Sequence, residues 1–234
     1  MSAPLLEVAD LHAWYGESHI LHGVDLEVRT GETICILGRN GMGKTTTLRS
    51  IMGIVRRREG RIRFDGADMI GVPLHRVARA GLGFVPEERG IFSTLTVEEN
   101  LRLPPVTAEG GMSEAEIYDL FPNLRERRRS AGTKLSGGEQ QMLAMARILR
   151  TGARCLLLDE PTEGLAPVII ERIGVVLEAL KARGMTIVLV EQNFRFASKV
   201  ADRFYLMDHG RMKTDFPVAE LSSRMEMLNR ELGV

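Results

Sequence analysis

Eight consecutive residues carry the plainest chemistry in the chain. Gly38-Arg39-Asn40-Gly41-Met42-Gly43-Lys44-Thr45 fits the spacing G-x-x-x-x-G-K-[ST] in full. It follows the apolar run TICIL (33–37) and opens a helical pattern over Thr45–Met52. Glycines let backbone N–H groups turn inward around a phosphate with no Cβ in the way. The helix start adds unpaired N–H groups and the positive end of its dipole. Lys44 is spaced to reach β- and γ-phosphates, and Thr45 to ligate Mg2+. A plain glycine turn between strand and helix has no need of the Lys and Thr beside it.

A second constellation is CLLLDEP (155–161), an apolar run that ends in Asp159 and Glu160. Two carboxylates at the end of a buried strand are costly unless they meet a cation or water. Asp159 is the expected Mg2+ residue, and Glu160 the group that orients and deprotonates an attacking water. Gly38, Glu87, Asp159 and Gln192 each follow a predicted strand within a few residues. If those strands are parallel, four strand ends point toward one edge, where open α/β sheets bind ligands.

The elements that must position these groups are legible as short apolar runs. LLEVA (5–9), TICIL, RIRF (61–64), LGFV (82–85), CLLL (155–158), TIVLV (186–190) and FYLM (204–207) read as strands. RIRF alternates, as a half-exposed strand should; the others are more uniformly apolar, as strands buried on both faces should be. Helical patterns follow at Thr45–Met52 and Pro167–Arg183. Alternating strand and helix predict an α/β fold with a mainly parallel sheet. Residues from about 91 to 150 lack a convincing strand and carry two Ser/Thr-x-x-Glu helix starts, Thr96–Glu99 and Ser136–Glu139. Between them lie a Pro/Gly-rich breaker, LPPVTAEGGMS, and a basic run, Arg125–Arg129, read as a solvated helix face. The expected organisation is one domain over 1–234, with a core at about 1–90 and 151–234 and a helical subdomain inserted at about 91–150. A stripe of Val218, Leu221, Met225, Leu228 and Leu232 predicts a C-terminal helix packed on its own core.

Bulk properties narrow the class. The 31 basic and 31 acidic residues balance, so no global charge points to nucleic acid or to an anionic surface. Cys35 and Cys155 sit in apolar runs and read as reduced core residues, not as a disulfide or a zinc site. The first ten residues have no basic n-region, which argues against a signal peptide. No stretch approaches the roughly 18–20 apolar residues that span a bilayer, so work at a membrane would require a partner to hold the chain there.

Leu135-Ser136-Gly137-Gly138-Glu139-Gln140 lies before Asp159 and is followed by an apolar face at Met142, Met145, Ala146 and Leu149. Locally it is a capped helix, but two glycines in a first turn weaken a helix. They make sense if something such as a phosphate must approach the backbone closely. LSGGEQ, the Gly38–Thr45 loop and LLLDEP together resemble the ABC ATPases over nearly the whole chain. That resemblance implies a P-loop NTPase fold of the ABC type: an N-terminal antiparallel β region, a mainly parallel core sheet and an inserted helical subdomain. It also implies ATP and Mg2+ as ligands, and a head-to-tail dimer sandwiching two ATP molecules. Gly38, Arg39, Asn40, Gly41, Met42, Gly43, Lys44, Thr45 and Thr46 would then hold the nucleotide, and Tyr15 in AWYGES would stack on adenine. Ser136, Gly137, Gly138 and Gln140 would reach the nucleotide held by the other subunit. Lys44, Glu160 and Gln192 form the catalytic set, and Thr45, Asp159 and Glu87 the metal set.

Three positions depart from the general pattern of that family. Glu87 stands where many members have a glutamine that touches Mg2+. Gln192 stands where most have a histidine; its amide donates a hydrogen bond but cannot carry the proton a histidine can. Glu163-Gly164-Leu165-Ala166-Pro167 replaces the usual aspartate loop. Together YGESHILHGV, VPEERGIFSTLTVEEN, DEPTEGLAP and LVEQN resemble the ATPases of branched-chain amino-acid uptake systems. This branch implies a second ATPase subunit, two transmembrane permease subunits and, indirectly, a periplasmic substrate-binding protein. It implies peripheral attachment at the cytoplasmic face of the inner membrane, with no direct insertion and no nucleic acid. Importers of urea or short amides are the nearest alternative. A non-transport ABC ATPase fits badly, because this chain has one cassette and no sustained heptads.

Overall fold

The computed structural model describes residues 3–232. The chain opens with strands β1 (Leu6–Tyr15) and β2 (Ser18–Val28), an antiparallel pair. Strand β3 (Thr33–Leu37) then runs through the glycine loop into helix α1 (Lys44–Ile51). Strands β4 (Arg57–Phe64) and β5 (Ala67–Asp68), helix α2 (Leu74–Arg79) and strand β6 (Leu82–Val85) follow. The middle of the chain is helical: α3 (Val97–Arg102), α4 (Glu114–Leu120), α5 (Pro122–Glu126) and α6 (Gly137–Leu149). Strand β7 (Cys155–Asp159), helix α7 (Pro167–Ala182), strand β8 (Thr186–Glu191) and helix α8 (Phe194–Val200) rebuild the α/β alternation. Strands β9 (Arg203–Asp208) and β10 (Arg211–Pro217) and helix α9 (Leu221–Leu232) close the described chain.

Two sheets result. One has the order β2-β1-β4-β5 and is antiparallel throughout. The other has the order β10-β9-β3-β8-β7-β6 and is parallel except where β10 folds back on β9. The mixed α/β architecture expected from the sequence is therefore present, with both sheet types. Residues Leu5–Ala9 do not form a strand buried on both faces. They belong to the longer β1 of the antiparallel sheet, where Leu6 and Val8 are buried and Glu7 and Ala9 only half so. Apolar content over five residues cannot separate the two cases; the polar residues further along β1 could have done so.

Alternation divides the parallel sheet between two cores. Cys35, Leu37, Leu156, Leu158, Ile187 and Leu189 face Leu143, Ile173 and Leu177 on α6 and α7. Ile34, Ile36, Leu157, Val188 and Val190 face Leu48 and Ile51 on α1 and the antiparallel sheet. A strand covered on both faces has no room for polar residues, which is why these runs are unbroken. Cys35 and Cys155 fall on opposite faces, both buried and unbonded. Burial pushes the Cys155 thiol up to about 12 and raises Cys35 as well, so both stay protonated.

Local signals set several boundaries. Thr96 and Ser136 each form the reciprocal capping box expected for them, and Ser113 with Glu116 forms a third at the start of α4. The basic run is exposed, but α5 ends at Glu126, so Arg127, Arg128 and Arg129 lie in the turn beyond it. On α9 Leu228 is buried, and Leu221 and Leu232 pack against the core, whereas Met225 is exposed. Val218 precedes that helix in a short 3-10 turn.

Candidate functional site

Strands β3, β6, β7 and β8 run parallel, so Gly38, Glu87, Asp159 and Gln192 do meet at one edge. A cavity of about 430 Å3 opens there, lined by Asn40, Gly41, Gly43, Lys44, Thr45, Thr46, Glu87, Glu160 and Gln192 among the expected residues. Ile20 and Glu163 also line it. Ile20, within the YGESHILHGV segment, reaches the cavity from β2, and Glu163, which opens the Glu163–Pro167 segment, reaches it from the turn after β7.

The glycine loop is shaped by close packing. A Cβ on Gly38 would lie 2.6 Å from the Met207 carbonyl oxygen. Gly43 caps α1 at φ 107, a conformation other residues avoid, and a Cβ there would meet Leu21 at 2.9 Å. No side chain caps α1, and its first turn has no acidic residue. The N–H groups at this helix start therefore face the cavity uncovered, a ready anion site. The loop is also tied to the β9–β10 turn, where Gly210 N–H donates to the Met42 carbonyl at 2.9 Å. The Arg39 guanidinium points elsewhere and donates to the carbonyls of Glu231 (2.8 Å) and Arg230 (3.1 Å) at the end of α9.

Lys44 is almost fully buried. Its ammonium donates to the Gly38 and Arg39 carbonyls at 2.8 and 3.1 Å and lies 3.1 Å from Glu160 Oε1. The Gln192 amide donates to Glu160 Oε2 at 2.6 Å. Glu160 thus holds a cation on one oxygen and an amide on the other. Its own backbone sits at φ 44, in the left-handed region where non-glycine residues are strained. The Val190 carbonyl fixes that turn by accepting from the Glu160 N–H at 3.0 Å.

Asp159 is different. Thr45 Oγ1 donates to its Oδ1 at 2.9 Å, while Oδ2 is buried with no partner. Burial chiefly, with the Glu160 charge adding to it, pushes the Asp159 acid up to about 6. An orphaned buried carboxylate oxygen beside a threonine hydroxyl is a donor set that fits a hard cation. Among the described residues no group of three or more His, Cys, Asp or Glu converges as a metal-binding set. Mg2+ does not need one, since it takes one or two protein oxygens and completes its shell from phosphates and water. Glu87 is exposed at the rim, near enough that its charge also raises Asp159.

One buried acid escaped sequence reasoning. Glu191, at the end of β8, is 2% exposed. Its Oε1 accepts from Thr162 Oγ1 (2.7 Å) and Thr162 N–H (3.2 Å), and its Oε2 from the N–H groups of Gln192 and Asn193 (both 3.2 Å). Burial raises it to about 7 against those donors. The signal was present in LVEQN, where an acid ends a strand buried on both faces.

Tyr15 and the 135–140 segment are not in the cavity lining. Tyr15 is exposed at the turn between β1 and β2. Ser136 caps α6, and Gln140 donates to the Gly132 and Leu135 carbonyls at 3.3 and 3.2 Å. The two glycines answer to different neighbours. A Cβ on Gly138 would lie 2.5 Å from Ile169 Cγ2 of α7, so packing within the chain already requires that glycine. A Cβ on Gly137 would meet only the mobile end of Arg89, at 3.0 Å.

Comparison with known proteins gives a consistent picture. The family described as "ABC transporter" matches residues 21–163. A high-affinity branched-chain amino acid transport ATP-binding protein, BraG of Pseudomonas aeruginosa, is 38% identical over 98% of this chain and 100% of its own length. A probable branched-chain amino acid transport ATP-binding protein, LivF of Archaeoglobus fulgidus, is 38% identical over 93% of this chain and 94% of its own. The lipopolysaccharide export system ATP-binding protein LptB of Haemophilus influenzae is 33% identical over 89% and 88%. A nucleotide-free ATP-binding cassette superposes with a TM-score of 0.86 at 22% identity, covering 99% of both chains, which speaks for the fold alone. A dimeric cassette with bound ADP and phosphate superposes at 0.80 with 25% identity, over 91% of this chain and 98% of that one.

Proposed function

The chain belongs to the ABC transporter ATP-binding family, and on that premise we propose that it hydrolyses ATP to power a branched-chain amino-acid importer. Family membership implies ATP hydrolysis. The amino-acid substrate is our reading, supported by 38% identity across the full length of a relative named for that transport.

The observation that carries the chemistry is the cluster of buried Lys44 and Glu160 with half-buried Gln192, beside the uncapped start of α1. ATP phosphates would lie on the N–H groups of the Gly38–Thr46 segment. Lys44 would then exchange Glu160 for the phosphates. Relieved of the ammonium, Glu160 Oε1 becomes available to take a proton from the attacking water. Gln192 donates to the other oxygen and so fixes the carboxylate plane, which leaves its amide oxygen to accept from the same water. The base is thus released only when substrate occupies the loop. Thr45 and Asp159 would hold Mg2+, with Glu87 at the rim. An ion held there would supply positive charge to offset that of the phosphates. Tyr15 would cover adenine from outside the cavity.

Ser136, Gly137, Gly138 and Gln140 lie outside this chain's own cavity lining, so we assign them to the nucleotide of a second ATPase subunit. An apolar groove of about 360 Å3, lined by Met52, Leu74, Phe84 and Pro104, lies between α2 and the helical segment. Ile54, Leu74, Leu103 and Val106 are exposed on or beside it, and we assign it to a permease segment. No helix among the described residues is long and apolar enough to cross a membrane. Attachment to the cytoplasmic face through two permeases, with a periplasmic binding protein beyond them, completes the reading.

The test is uptake. Deleting the gene should abolish high-affinity uptake of labelled leucine, isoleucine and valine, and Glu160→Gln should fail to restore it. Normal uptake with a defective lipopolysaccharide surface would move the protein to the export branch; lost urea or amide uptake would move it to that branch.

A further inference from the structure

We propose that Glu191 is a positioning residue for hydrolysis: its carboxylate clamps the turn that carries Glu160 to the turn that carries Gln192. The proposal rests on the catalytic reading of Glu160 and Gln192 above. Each oxygen of Glu191 serves one turn. Oε1 takes both Thr162 donors, two residues beyond Glu160, and Oε2 takes the N–H groups of Gln192 and Asn193. All four partners are donors, and among the described residues no cation contacts the carboxylate. Only a carboxylate offers two acceptor oxygens and no donor within one planar group. Glutamine would aim an NH2 at one of the two turns, and aspartate is a methylene too short to span both.

The cost of burying this acid makes its presence informative. An amide in its place would be cheaper to bury, yet the chain keeps a carboxylate where two catalytic turns meet. The Glu160 turn also needs external support, because Glu160 sits at φ 44. Its backbone support comes from β8, through the Val190 carbonyl, one residue before Glu191. The end of β8 therefore grips the Glu160 turn twice and carries Gln192 one residue later. A displacement of about 1 Å between reacting groups can cost two orders of magnitude in rate. Glu191 acts by preventing that displacement and does not itself reach the cavity lining.

The experiment compares Glu191→Gln, Gln192→Ala and the double variant by steady-state ATPase kcat, equilibrium ATP affinity and Tm. We expect Glu191→Gln to lower kcat about tenfold or more while ATP affinity stays within about threefold, because the glycine loop is untouched. Adding Glu191→Gln to Gln192→Ala should cost less than the product of the single effects, since the two act through one alignment. An unchanged kcat, or affinity and kcat falling together, overturns the proposal in favour of a purely structural acid. A rate lost in Glu191→Gln but intact in Gln192→Ala would instead remove Gln192 from the catalytic set and leave the clamp on the Glu160 turn standing. Should Glu191→Gln not fold, Thr162→Val removes one donor from the clamp and carries the same kcat-against-affinity test.

Discussion

The starts of α1 and α6 are both glycine-rich, and they are built in opposite ways. At α1 the cap is Gly43, no side chain covers the first turn, and the donors open into a cavity. At α6 Ser136 and Glu139 satisfy each other, with Ser136 N–H and Oγ–H donating to Glu139 at 2.7 and 2.8 Å. A helix that closes its own start has no need of a ligand from its own chain. One that leaves it open next to a buried lysine is stable in water but waiting for an anion. Similar composition is thus built two ways: the α1 start is left open for the phosphate we propose it holds, and the α6 start is closed on itself, as suits the edge we propose it presents to another subunit's nucleotide.

Lys44→Ala should break the α1 half most severely. ATP affinity measured by equilibrium binding should fall by about 100-fold or more, since the central charge facing the phosphates is gone. The same change strands Glu160 in a buried setting, which costs about 3–5 kcal/mol and should lower Tm. Combining it with Glu160→Gln should recover much of the Tm and none of the affinity. Recovery of both would mean that Lys44 is only a structural counter-ion.

Asp159→Asn separates the metal position from the fold. The folded-state acid lies at about 6, above the ordinary 3.8. Its contribution to stability is thus present below pH 4 and lost as pH rises through about 6. The asparagine variant, free of metal and nucleotide, should therefore be more stable than the parent at pH 8, by about 2–3 kcal/mol or several degrees in Tm. The advantage should vanish towards pH 4, while Mg2+-dependent turnover is lost. A lower Tm at pH 8 would contradict the picture of an uncompensated carboxylate.

Ser136→Ala tests the α6 half and has the smallest effect. Losing the cap costs about 1 kcal/mol. Binding of ATP to the single subunit should be unchanged, whereas turnover should drop about tenfold if the hydroxyl serves a nucleotide across a dimer. Equal losses in binding and turnover would place Ser136 in its own chain's site.

Much of the site was legible because its parts are local. The Gly38–Thr45 loop, the Asp159–Glu160 pair and the Ser136 box each lie in one short segment with a fixed spacing. What the sequence hid depends on tertiary packing. Gly138 looked like an opening for a ligand, yet Ile169 from α7 already occupies the space a Cβ would need. Arg39 lies in the motif, but its side chain joins α9, nearly 200 residues away in the chain. Strand β2 is hidden in the sequence because His19 and His22 interrupt its apolar pattern, although Leu21, Val24 and Leu26 are buried. No motif names Glu191; the role proposed for it follows from two turns meeting at its two oxygens.

The most direct test is hydrolysis by Glu160→Gln. Glutamine keeps the shape and one acceptor of Glu160 but cannot take a proton from water. The account predicts ATP affinity within about threefold of the parent and a kcat reduced by about 100-fold or more, with a nucleotide-trapped dimer in solution. Turnover at the parental rate would contradict the account, because the base would then lie elsewhere.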